Sequence, residues 1–195
     1  MDTLSLNRSW KFRLDPENVG LSEAWHSDTQ TLEAGSIDID VPSCWEELEQ
    51  DYEGVAWYST QVEIDADKAG QICRIVFQAS NYRTGIWING KAAGSHDGGY
   101  TPFDFEIQDF LNYGASNQIT VRIVSPIITK DIRVDDLGPN DMPHWRGGLT
   151  AGIWQSATLE FNQSAWIKHT FYKPKIKDSA FELDLKLRCN ETTTH

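Results

Sequence analysis

The chain is 195 residues long, with 39% hydrophobic and 24% charged residues, a composition that fits a water-soluble globular protein large enough to bury a sizeable core. Its net charge of -12, with Lys and Arg scattered and never massed in a block, argues against nucleic acid as a partner, because such a surface repels a phosphate backbone. No apolar run has the length of a bilayer-spanning helix, so no membrane role is expected, whereas a neutral glycan partner is compatible with the acidic balance.

Met1-Asp2-Thr3-Leu4 carries no basic stretch followed by an apolar one, which points to a cytoplasmic protein, or to a periplasmic or secreted one whose leader has been removed. In chain order, residues 21–25 show a short helical signal. The runs 57–64 (WYSTQVEI), 72–77 (ICRIVF) and 84–88 (TGIWI) are rich in β-branched and aromatic residues and read as strands. Asn89-Gly90 suits the two positive φ angles of a type I′ turn and predicts a tight hairpin. Gly98-Gly99 predicts a turn leading into a strand, with Tyr100 and Phe103 as core or inter-sheet packing. Residues 109–113 could form a helical turn, 118–124 and 153–161 read as further strands, and 125–149 as a long loop at a sheet end. With no helix between successive strands, the pattern favours an all-β antiparallel sandwich. After residue 162 the register changes: 166–173 and 181–187 form two more strands, the second alternating Phe181, Leu183, Leu185, Leu187 against Glu182, Asp184, Lys186. Two strands cannot bury their own apolar face, so this tail either opens a second sandwich or rests on the first.

Three widely spaced cysteines, Cys44, Cys73 and Cys189, form no disulfide framework and read as reduced thiols in or near cores. The five histidines lack H-x-x-x-H or H-E-x-x-H spacing, and with no Cys–His cluster, no P-loop and no dinucleotide fingerprint, neither a metal nor a cofactor is expected. The acidic residues Glu46, Glu47, Glu49, Asp51 and Glu53, and Asp135, Asp136 and Asp141, read as solvated loops. Among the eight tryptophans, Trp10, Trp57, Trp87 and Trp154 lie in strand patterns and are assigned to cores. Trp45 and Trp145 lie in loop-like segments, where a flat ring is free to stack on a sugar or on a neighbouring domain.

Three ordered stretches carry a resemblance: Val41-Pro42-Ser43-Cys44-Trp45 with Tyr52-Glu53-Gly54-Val55-Ala56-Trp57-Tyr58, Asn81-Tyr82-Arg83 through Trp87-Ile88-Asn89-Gly90 to His96-Asp97-Gly98-Gly99-Tyr100-Thr101-Pro102-Phe103, and Gly147-Gly148-Leu149-Thr150-Ala151-Gly152-Ile153-Trp154-Gln155. With the opening Leu6-Asn7-Arg8-Ser9-Trp10-Lys11-Phe12, this set resembles the N-terminal sugar-binding jelly roll of family 2 glycoside hydrolases, the group of β-galactosidases, β-glucuronidases and β-mannosidases. The resemblance implies a jelly-roll, galactose-binding-domain-like sandwich over residues 1–162 and the first strands of a truncated immunoglobulin-like sandwich over 163–195. It also implies a catalytic (β/α)₈ barrel outside this chain, holding both glutamates of a retaining hydrolysis. No catalytic residue is therefore expected here, and Asn190-Glu191 is set aside as a chance match to the family's Asn-Glu acid/base pair.

In several family members a loop before the segment matching 151–153 reaches into the barrel's active site. The matching loop here carries Asp141, His144, Trp145 and Arg146, and Arg146 stands where the galactosidase and glucuronidase types have an acid. Trp45, Tyr52, Asp141, His144, Trp145 and Arg146 are accordingly the carbohydrate-binding candidates. The expected partners are a β-linked glycoside or oligosaccharide and the protein's own downstream domains, with homo-oligomer formation open. The alternatives are a free-standing carbohydrate-binding module and a structural or protein-interaction sandwich.

Overall fold

The computed structural model of the chain describes residues 1–139, 141–142, 150–163 and 165–189. Its strands are β1 (Asp2–Ser5), β2 (Ser9–Asp15), β3 (Ile37–Asp40), β4 (Val55–Ile64), β5 (Ile72–Phe77), β6 (Arg83–Ile88), β7 (Lys91–Asp97), β8 (Phe103–Glu106), β9 (Ala115–Val124), β10 (Ala157–Asn162), β11 (Ala165–Lys175) and β12 (Ala180–Cys189). A six-stranded sheet, β3-β2-β4-β9-β6-β7, faces a four-stranded one, β1-β10-β5-β8, with all pairs antiparallel. The fold is a jelly-roll β-sandwich, and β11 and β12 form a separate two-stranded sheet.

Side-chain alternation explains how the six-stranded sheet is covered on both faces. Ala56, Tyr58, Val62 and Ile64 of β4, Ile86 and Ile88 of β6, and Ile119, Val121 and Ile123 of β9 point inward against Ile75, Phe77 and Leu159 of the other sheet. The residues between them point outward. Val55, Trp57 and Val124 are buried there in a second cluster with Trp25, Ile127, Val134, Leu137 and Met142, and Trp87 packs against it. The cover comes from two long excursions, residues 16–36 and 125–142. Asp15, 1% exposed at the end of β2, ties the first one down by accepting from the N–H groups of Val19 and Gly20 and from Trp57 Nε1.

The Asn89-Gly90 turn joins β6 to β7 with φ of 51° and 77°, as its sequence demands. Other expectations shift. The short helix is α1 (Thr29–Ala34), capped by Asp28 accepting from Thr31 N–H, and not 21–25, which is a run of turns. Residues 109–113 contribute only the end of a 3₁₀ turn at Gln108–Phe110. Strand β10 begins at Ala157 and not at 153, because the preceding residues bond elsewhere: Ile153 O accepts from Ser43 N–H, and Gln155 N–H donates to Ala79 O. Tyr100 is half exposed with its ring edge-on to Trp154, while Phe103 enters the core. Trp10 and Trp57 are buried as expected, Trp87 and Trp154 partly so. Cys73 lies in the core, Cys44 is half-buried, and Cys189 is exposed on β12.

Candidate functional site at the loop-rich end

The strand registers place one end of the sandwich under most of the long connections. Val55, Arg83, Asp97 and Val124 end their strands side by side in one sheet, as do Phe77, Phe103 and Ala157 in the other. The connections that follow Phe77, Asp97 and Val124 leave from this end, and 41–54 arrives there. Three motif stretches far apart in sequence thus become neighbours.

The 125–142 excursion is held by three polar clamps. Glu53, 5% exposed, accepts from the N–H groups of Ile128 at 3.0 Å, Thr129 at 2.9 Å and Lys130 at 3.1 Å, and from Thr129 Oγ1 at 2.8 Å. Burial raises the pKa of this carboxyl, but the four donors outweigh it and hold the group below the usual carboxylate range. Arg122, projecting from the outer face of β9, donates to Asp135 at 3.0 Å and to Asn18 at 2.7 Å. Arg83 grips Asp97 with two nitrogens, at 2.7 and 2.6 Å, and Asp136 with the third; these bonds raise its pKa further. The acidic runs are therefore structural fastenings as much as solvated loops.

The returning limb is stitched equally firmly. Asn81 and Gly152 exchange backbone bonds, Asn81 Nδ2 donates to Thr150 O, and Trp45 N–H donates to Ala151 O at 3.1 Å. Ala151 N–H donates to Glu46 Oε1 at 2.9 Å, and burial raises the Glu46 pKa. Two motif glycines are explained by close approach. Gly152 sits at φ 107°, where a Cβ would lie 2.5 Å from Tyr58 Oη, and a Cβ on Gly99 would collide with the Asn81 side-chain amide.

The candidate sugar contacts separate against this frame. Trp45 is fully buried, tilted against Phe12 and edge-on to Tyr52, with Nε1 donating to Tyr52 O; its loop-like sequence setting concealed a core position. Tyr52, 9% exposed, donates its hydroxyl to Val55 O, and burial pushes its pKa up to about 12. Both point from the 41–54 segment into the core and away from solvent. Asp141 is half exposed at the end of the excursion and accepts from Gly138 N–H at 2.8 Å and from Arg133 at 3.4 Å. His144, Trp145 and Arg146 lie outside the described residues. Sequence reasoning did not single out Glu53, Arg122, Arg83 or Asn81 as anchors. Glu53, Asn81 and Arg83 sit inside the motif stretches, and that placement was the available signal.

Glu53, Asp135 and Asp136 thus act as acceptors that fasten the excursion, while Glu46 accepts from the returning limb. The clefts beside β3, of about 450 and 340 Å³, are lined by other residues, among them Ile37, Leu48 and Asp40.

Comparison with known proteins agrees with the sandwich fold. The family model described as "Glycosyl hydrolases family 2, sugar binding domain" matches residues 48–160, more than half of the chain. A β-galactosidase of Thermoanaerobacter pseudethanolicus is 26% identical over 188 residues, which cover 94% of this chain and 24% of that protein. A β-glucuronidase of Paenibacillus borealis is 28% identical over 121 residues, 60% of this chain and 20% of that protein. The crystal structure of Ruminococcus gnavus β-glucuronidase superposes with a TM-score of 0.80 at 20% identity, over 95% of this chain and 34% of that one. The chain spans about a quarter of the length of the curated relatives it matches. The chain belongs to the sugar-binding domain family of the family 2 glycosyl hydrolases.

Proposed function

We propose that the chain is the non-catalytic sandwich of a longer exo-acting β-glycosidase, with the loop-rich end supplying one wall of a sugar pocket whose catalytic glutamates lie in a following domain. Residues 1–162 form the accessory jelly roll, and 163–195 begin an immunoglobulin-like sandwich. The observation that carries this reading is the family match over 48–160, in a chain that covers so small a share of each hydrolase it resembles. The clamps on 125–142 support it physically: a long loop fastened by three charged residues has the preorganisation that a pocket wall requires. The outward apolar face of β12 supports the second part, because strands of this kind are completed by further ones.

Calorimetric titration of the purified chain with β-linked galactosides and glucuronides, alongside an aryl β-glycoside hydrolysis assay, tests the reading. An accessory wall gives no turnover and no saturable binding below millimolar sugar, since most of the pocket is missing. Saturable micromolar binding would replace it with a free-standing carbohydrate-binding module, and turnover at ordinary glycosidase rates would overturn it altogether.

A further inference from the structure

We infer that Glu53 is a positioning residue, a single carboxylate latch that fixes the whole 126–142 excursion, and with it Asp141, against the outer face of the six-stranded sheet. Three successive backbone N–H groups, those of Ile128, Thr129 and Lys130, converge on its two oxygens together with the Thr129 hydroxyl. Such a turn of amides is a preformed anion cradle, and here the anion is supplied from within the chain. Glu53 is placed rigidly from its own side. It lies two residues before β4, next to Gly54, whose N–H donates to Ser125 Oγ at 2.9 Å and whose carbonyl accepts from Ser125 N–H at 2.9 Å. The latch therefore grips the excursion at its root, immediately after β9 ends. Beyond the root, Ile127, Val134, Leu137 and Met142 lie over Trp25 and Trp57, and the Arg122 and Arg83 clamps follow at Asp135 and Asp136. A loop whose root is misdirected cannot seat these later contacts, so one carboxylate controls the register of about sixteen residues. This rests on the reading above for what the loop faces, but not for the latch itself.

The test is hydrogen–deuterium exchange on the intact chain with Glu53→Gln and Glu53→Asp. Glutamine keeps the size but turns an NH₂ donor toward N–H donors, whereas aspartate keeps the charge. Exchange across 126–142 should accelerate about 10- to 100-fold in Glu53→Gln, as expected for losing charge-assisted hydrogen bonds, with β4, β6 and β9 at the wild-type rate. Glu53→Asp should recover part of that protection, which a purely steric role would not. Acceleration confined to residues 128–130 would overturn the latch, and so would equal acceleration throughout the sandwich. Should Glu53→Gln not fold, Thr129→Val removes one donor and should accelerate the same segment several-fold; a wild-type rate there would also overturn it. Sugar titration of the same samples reports separately on the proposed function: protection lost on Glu53→Gln in a chain that binds micromolar sugar on its own sinks the accessory reading and sustains the latch.

Discussion

The jelly roll and the β11–β12 hairpin use the same residue alphabet with opposite outcomes. In β4 and β9 nearly every side chain is buried, because a second sheet covers one face of the larger sheet and the long excursions cover the other. In β12 the alternation is cleaner than in any jelly-roll strand, yet Phe181, Leu183, Leu185 and Leu187 are 58%, 44%, 48% and 61% exposed. Across the hairpin they line up with Pro174, Tyr172, Thr170 and Ile167, which makes one continuous apolar face. Periodicity thus states which face wants cover and is silent on whether this chain provides it. A contiguous apolar face is uncommon on a free monomer surface and marks a place where something packs.

The largest effect that could break this contrast comes from making one substitution in both regions. Phe77→Ala, in the core and stacked on Phe103, should cost about 3–5 kcal/mol in urea unfolding followed by tryptophan fluorescence. Phe181→Ala, stacked on Tyr172 but largely solvated, should cost less than about 1 kcal/mol. Equal costs would mean that the hairpin face is covered in solution, by another copy or by the sandwich itself.

Much of the fold was legible because its signals are local. The Asn89-Gly90 turn and strand β5 follow directly from turn chemistry and β-branched runs. What escaped depends on tertiary partners. Trp45 sits in a segment with no strand pattern and is buried because residues 151–153 pair alongside it. Glu53 lies in an acidic run that reads as solvated, and its donors are 75 to 77 residues away. No window of sequence holds both halves of such a clamp, so the candidate sugar contacts were named from the motif's loops while its anchors went unnamed.

Glu53 also gives a pH test of how the jelly roll differs from its appendage. Its pKa in the folded chain is below the ordinary value of 4.5, so the folded state releases this proton more readily than the unfolded one. The stability it contributes is fully present above about pH 4.5 and is lost as pH falls through the lower folded value. The difference in unfolding free energy between wild type and Glu53→Gln should therefore be constant from pH 7 to about 5 and shrink towards pH 3. A gap that stays constant to pH 3 would show that the cradle does not sense the charge.

The smallest expected effect decides whether the hairpin is a rider on the jelly roll or part of it. Among the contacts that join them, Arg188 Nε donates to Glu106 at 3.0 Å, and the Arg74 guanidinium lies 3.5 Å from the Trp166 ring centre. The first is a partly exposed ion pair worth about 1 kcal/mol or less, and the second a cation–π contact between two buried side chains, worth about 2 kcal/mol. If the hairpin opens a further sandwich, Arg188→Ala should lower jelly-roll stability by no more than about 1 kcal/mol while exchange in β11 and β12 rises. A loss of about 3 kcal/mol or more would instead make the hairpin an integral layer of the first fold. Its exposed leucines would then mark the outer surface of one domain and not the inner surface of the next.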